Sequence, residues 1–180
     1  MTTTRLVVNV AAFQAAWFGA IGGAAAGRAW LGPAAAALLV AGHLCVAARP
    51  ARELAILLLV GLVGSAWDSL LVVLGLIEYR GAAPASGVAP YWIASLWIAF
   101  ATTLNVSLRW LRGRRWLALP LGAVAGPCAY AAGESLGALR LLDPPAALLA
   151  QSVGFAVLLP LSTWLAARCT ADEPAESRRA

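Results

Sequence analysis

Six long apolar stretches, each broken by at most one or two charges, leave this chain few ways to fold. They run approximately Leu6–Ala26, Pro33–Ala48, Glu53–Ile77, Pro90–Leu111, Trp116–Leu139 and Pro145–Ala167. A hydrocarbon core is crossed by about 20 apolar residues in a helix. In lipid every backbone N–H and C=O must be paired within the structure, which leaves helices as the spanning element for stretches of this kind. The composition agrees: 62% of the residues are hydrophobic, 12% are charged and the mean hydropathy is +0.81, whereas an average chain is about a quarter charged. The expected fold class is all-α, an integral membrane bundle of about six transmembrane helices. One domain is expected over residues 1–169, followed by a polar, disordered cytoplasmic tail over 170–180.

Proline punctuates the boundaries at Gly32-Pro33, Arg49-Pro50, Ala89-Pro90 and Asp143-Pro144-Pro145. The longest connector, Glu78–Ala89, holds Gly81, Pro84, Ser86 and Gly87 and reads as an exposed loop. The second stretch is the shortest, and a re-entrant segment is the alternative there. Met1–Ala26 has some marks of a cleavable signal peptide, but its apolar run exceeds the usual length of about 7–15 residues and carries Asn9, Gln14 and Trp17. A retained first helix is the reading adopted.

Orientation follows from arginine. The amino end, the second and fourth connectors and the tail hold Arg5, Arg49, Arg52, Arg109, Arg112, Arg114, Arg115, Arg168, Arg178 and Arg179; the other side holds Arg28, Arg80 and Arg140. Positive residues stay inside, so both termini are expected in the cytoplasm of a bacterial cell, with the chain in its inner membrane. The basic residues lie at segment ends and draw no groove with stacking aromatics, so nucleic acid is not an expected partner. Membrane lipids are, together with a small hydrophobic ligand or other membrane proteins. With one histidine, and Cys45, Cys128 and Cys169 reading as small packing residues, neither a metal nor a cofactor is expected.

Ionisable residues inside a span mark functional sites by default. Asp68 shares a helix face with Gly61, Gly64, Ser65 and Val72, small residues that allow close helix approach and turn it into the bundle. Glu134 reaches a similar height on the fifth stretch, on a face with Gly126, Pro127, Tyr130 and Gly137, so the two carboxyl groups are expected within about 10 Å of one another, able to share a proton or a cation. A lower polar layer comprises His43, Asn105 and Arg109, with Asn9 at similar depth; it could orient a lipid headgroup or relay a proton. The bland reading of both layers is interhelical hydrogen bonding. Asp68-Ser69-Leu70 and Glu134-Ser135-Leu136 also echo one another, a faint hint of duplicated hairpins. No phosphate loop, nucleophile elbow or metalloprotease motif is present in the sequence.

Phe13-Gln14-Ala15-Ala16-Trp17-Phe18, His43-Leu44, Arg52-Glu53-Leu54, Trp67-Asp68-Ser69-Leu70-Leu71, Pro90-Tyr91-Trp92 and Leu96-Trp97 form one pattern. Phe100-Ala101-Thr102-Thr103-Leu104-Asn105, Ser107-Leu108-Arg109-Trp110-Leu111 and Gly122-Ala123-Val124-Ala125-Gly126-Pro127 continue it. Together they resemble the bacterial integral membrane family called domain of unknown function 2878. The resemblance implies a small inner-membrane protein whose genes neighbour lipid-modifying or stress-response enzymes, and it transfers no catalytic residue. The leading expectation is a lipid-binding or lipid-modification accessory protein with a polar intramembrane cleft. A transporter using Asp68 and Glu134, and a scaffold with purely structural polar residues, are the alternatives.

Overall fold

The computed structural model describes residues 3–81 and 87–170. These form six α-helices: α1 (Thr3–Ala25), α2 (Leu31–Cys45), α3 (Pro50–Val73), α4 (Tyr91–Leu104), α5 (Arg115–Ser135) and α6 (Pro144–Thr170). Two short strands, β1 (Ile77–Tyr79) and β2 (Leu139–Leu141), and a 3₁₀ turn at Arg109–Leu111 complete them. Prolines start the helices where the sequence places them: Pro50 opens α3, Pro90 precedes α4, and Pro144 begins α6, because the first turn has no use for the missing N–H. The centre of the 78–89 connector and the tail beyond residue 170 lie outside the described residues.

The fold is all-α, as expected, but the helices end short of the expected stretches in three places. α3 and α5 stop at Val73 and Ser135 rather than running on to residues 77 and 139, because Gly75 and Gly137 adopt left-handed φ values of 67° and 80°. The chain then turns into strands. α4 ends at Leu104, well short of residue 111, and the backbone continues through turns into the 3₁₀ segment. Four helices, α1, α3, α5 and α6, are long and apolar enough to cross a membrane; α2 and α4 are shorter apolar helices of 15 and 14 residues.

α2 packs on α1 and α4, α4 also packs on α1 and α3, α3 also packs on α6, and α6 carries α5. The buried core follows these seams, with Leu57, Leu71, Trp92 and Leu104 fully enclosed. β1 and β2 pair antiparallel across one end of the bundle, Ile77 with Leu141, Glu78 with Arg140 and Tyr79 with Leu139. The apolar members face inward, while Glu78 and Arg140 point out and form an exposed ion pair of 2.8 Å.

The two connectors that carry the strands are built alike. Leu76 N–H donates to Leu71 O and Ala138 N–H to Gly133 O, both at 3.0 Å, the six-to-one bond of a Schellman helix end. Equivalent residues are 62 apart: Gly75 and Gly137, Ile77 and Leu139, Glu78 and Arg140. Because Glu78 and Arg140 are also direct cross-strand partners, the strand pair has a local two-fold axis running through them.

The symmetry extends into the helices. Gly64 and Gly126, again 62 apart, each receive an aromatic ring of the following helix: a Cβ on Gly64 would sit 2.0 Å from the Trp97 ring, and one on Gly126 would sit 2.6 Å from the Phe155 ring. Trp97 and Phe155, 58 residues apart, then contact each other, centroids 5.1 Å apart and planes inclined by 31°. A second pair of contacts obeys the same offsets: Gly61 faces Ala94 O, while Ser152 Oγ donates to Ala123 O. The units α3–β1–α4 and α5–β2–α6 are therefore two copies of one arrangement. The echo between Asp68-Ser69-Leu70 and Glu134-Ser135-Leu136 has a register of 66; the structural register of 62 makes Tyr130 the counterpart of Asp68.

Candidate functional site

Asp68 lies near this two-fold axis, fully enclosed. Its Oδ1 accepts hydrogen bonds from the hydroxyls of Tyr79, at 2.7 Å, and of Tyr130; its Oδ2 accepts from Trp97 Nε1 at 2.6 Å. α3, β1, α4 and α5 thus converge on one carboxyl group. Tyr79 is outside the membrane-capable helices, and burial, followed by the charge of Asp68, holds its phenol well above the ordinary tyrosine range, so it remains a donor. Behind this centre Gln151 of α6 is also fully enclosed, its Oε1 accepting from Trp67 Nε1 at 3.1 Å.

Glu134 takes no part in these bonds. Its Oε1 accepts the Leu141 N–H at 2.8 Å, tying the end of α5 to β2. The side chain of α5 that bonds to Asp68 is Tyr130, one turn before Glu134. Hydropathy sees tyrosine and tryptophan as apolar, so their polar tips give no signal in a charge-based reading.

The second polar layer gathers at the opposite end from the strands. His43 Nε2 and Glu53 Oε2 are 3.0 Å apart, Asn105 Nδ2 donates to Glu53 Oε1 at 2.7 Å, and Arg112 donates to Asn105 Oδ1. Asn9 joins α1 to the end of α4: its Nδ2 donates to Thr102 O at 3.3 Å, and its Oδ1 accepts from Ser107 Oγ at 2.7 Å. His43 and Asn105 are thus brought together by Glu53, which the sequence reading placed only at a span entrance; its position in the first turn of α3, one polar residue facing an apolar seam, was the available signal. Arg109 is exposed at the start of the 3₁₀ turn, and Arg112 supplies the guanidinium bonded to Asn105. Among the described residues no group of three or more His, Cys, Asp or Glu could hold a metal ion.

Between α1, α4 and α5 lies a cleft of about 520 Å³, in the size range of small-molecule sites. Phe13 and Trp17 form one wall, Ala125 and Ala129 the other, and Trp97, Tyr130 and Phe155 the floor. Trp97 and Tyr130 serve both sites: their rings bound the cleft while their polar tips are bonded to Asp68. The carboxyl group therefore fixes the rotamers of the cleft floor.

The cleft exists where the internal symmetry is broken. On the α3–α6 side Trp67 fills the seam, its ring so close to Gly154 that a Cβ there would be 2.2 Å away. On the α5–α4 side the counterpart of Trp67 is Ala129, and the counterparts of Gly154 and Gln151 are Leu96 and Ile93. All three line the cleft. A large indole on one side corresponds to a methyl group on the other, and α5 and α4 remain parted.

No curated protein and no solved structure matches the chain. The family described as a protein of unknown function, DUF2878, matches residues 6–161, and the chain belongs to that family.

Proposed function

We propose that this protein crosses a bacterial cytoplasmic membrane six times, with both termini inside, and holds a lipid or isoprenoid-like molecule in the cleft between α1, α4 and α5. The arginine bias supports the orientation, and it puts the strand pair on the periplasmic side. The observation that carries the ligand reading is the cleft itself. It is apolar, ringed by aromatic side chains, and held open by Ala129 where the symmetry-related seam is filled by Trp67. Its polar anchor lies behind the floor rather than in it, so it suits a hydrocarbon body rather than a hydrated solute.

The cation-transport alternative loses support from the same geometry. Both oxygens of Asp68 are already occupied by three donors and the residue is fully enclosed. The test is extraction of the protein from its own membrane in polymer-bounded discs, followed by lipid mass spectrometry of wild type and Ala129→Phe. A lipid enriched over the bulk membrane in wild type and lost in the variant is the expected result. Bulk composition in both would refute the reading.

A further inference from the structure

Gln14 is the one amide among the residues lining the cleft. It stands 11 residues into α1, about 16 Å along a helix rising 1.5 Å per residue, which is near mid-depth for a span starting at Thr3. It is exposed, and among the described residues it has no hydrogen-bond partner. Asn9, the other amide of this helix, behaves differently, spending both ends of its amide on α4 and Ser107. Gln14 sits at the mouth of the cleft, between the exposed Val10 and Phe18 and the lining Phe13 and Trp17. An amide with no partner is costly in hydrocarbon, where water cannot replace the missing bond.

The two other polar tips at the cleft floor are unavailable, since Trp97 Nε1 and the Tyr130 hydroxyl are both committed to Asp68. Any polar atom of an occupant is therefore left to the α1 side, where Gln14 and the Trp17 indole N–H stand and only the Gln14 amide both donates and accepts, while its hydrocarbon body lies against the aromatic walls and Ala129. We infer that the occupant is a long-chain lipid carrying one hydrogen-bonding oxygen, a carbonyl or hydroxyl, within its apolar body, and that Gln14 reads that oxygen. This deepens the lipid-holding reading of the cleft and rests on it.

The test uses the full chain in phosphatidylcholine nanodiscs. A dibrominated octadecanoic acid quenches cleft tryptophan fluorescence, and octadecanoic, 12-hydroxyoctadecanoic and 12-oxooctadecanoic acids compete with it. An interhelical-type hydrogen bond in lipid corresponds to a preference of about threefold to thirtyfold. Wild type should favour the hydroxy and oxo acids over octadecanoic acid by that factor. Gln14→Leu should erase the preference and still bind octadecanoic acid, whereas Ala129→Phe should weaken all three without adding a tryptophan. Equal competition by the three acids in wild type, or a preference that survives Gln14→Leu, overturns the inference while leaving the cleft reading intact. Conversion of a dimer to a monomer by Gln14→Leu, with acid binding unchanged, would assign the amide to helix association and also overturn it. If no acid competes and Ala129→Phe has no effect, the lipid-cleft reading falls as well.

Discussion

Replacing Asp68 separates two accounts of its carboxyl group, a required charge and a required set of acceptors. Asp68→Leu leaves Tyr79 OH, Tyr130 OH and Trp97 Nε1 without an acceptor. Each unpaired buried donor costs roughly 1–3 kcal/mol. The two hydroxyls can rotate toward other oxygens and Trp97 cannot, and loss of a buried acid returns some desolvation energy. A net loss of about 3 kcal/mol is the expectation. For a chain of this size about 2–4 °C accompanies each kcal/mol, so Tm should fall by about 6–12 °C. Asp68→Asn is different in kind. Its oxygen can face the Trp97 N–H while its NH₂ donates to the two tyrosine oxygens, which accept as readily as they donate. That variant should lie within about 1.5 kcal/mol of wild type. Thermal unfolding in one detergent, followed by tryptophan fluorescence, reads both variants. Asp68→Leu as stable as wild type, or Asp68→Asn as damaged as Asp68→Leu, would refute the assignment of Asp68 as an acceptor hub.

Gly64→Ala should cost about 1–3 kcal/mol, because its Cβ would enter the Trp97 ring. Gly42→Ala, where a Cβ meets nothing within 4 Å, should be neutral or gain up to about 1 kcal/mol; equal unfolding temperatures for the two would contradict the close packing at Gly64. In a cysteine-free background Glu78→Cys and Arg140→Cys should join spontaneously on mild oxidation, since directly paired residues of antiparallel strands hold their Cβ atoms about 4.5–5.5 Å apart; a gel showing no disulfide would argue against the strand pair. Exchanging the charges of that exposed pair, Glu78→Arg with Arg140→Glu, should move stability by less than about 1 kcal/mol in thermal melts. Reporter fusions after Ser177 should be active with a cytoplasmic reporter and fusions within residues 81–87 with a periplasmic one, and the reverse pattern would refute the arginine argument.

The helices and their proline starts were readable because each rests on a local rule, an apolar run closed by a residue that cannot continue the helix. The strands were not. Ile77-Glu78-Tyr79 and Leu139-Arg140-Leu141 alternate as half-buried strands should, but each is three residues long and adjoins an apolar stretch whose hydropathy absorbs it. Gly75 and Gly137 were the available markers, and the duplication they belong to becomes visible only when those glycines, not the acids, are aligned. Asp68 was legible because an acid in a span demands a reason. Its partners were not, since the donors come from aromatic residues on three other elements. Glu134 drew the same attention by the same rule, yet its bond is local, a carboxylate closing the turn into β2. Sequence spacing fixes how far along its own helix a group lies, and it is silent on which neighbour faces it.

The short helix α2 sets part of the outline this protein would present to a bilayer. α2 and α4 pack side by side at 15 and 14 residues, but of α4 only Tyr91 is exposed, so α2, extending about 22 Å, is the short helix with an outer face. The hydrocarbon layer of a typical membrane is about 30 Å thick. Their neighbours α3 and α6, at 24 and 27 residues, exceed it. On the α2 flank, then, acyl chains would meet a hydrophobic surface about 8 Å too low, and on the other a surface tall enough to require tilt. The mismatch would be relieved by compressing the lipid beside α2 or by letting the headgroup region sink toward His43, Glu53 and Asn105, which are polar enough to receive it. Each ångström of mismatch costs a fraction of a kcal/mol, so if α2 crosses the bilayer the expected outcome is a lipid layer thinned on that side and higher stability in thinner membranes than in thicker ones.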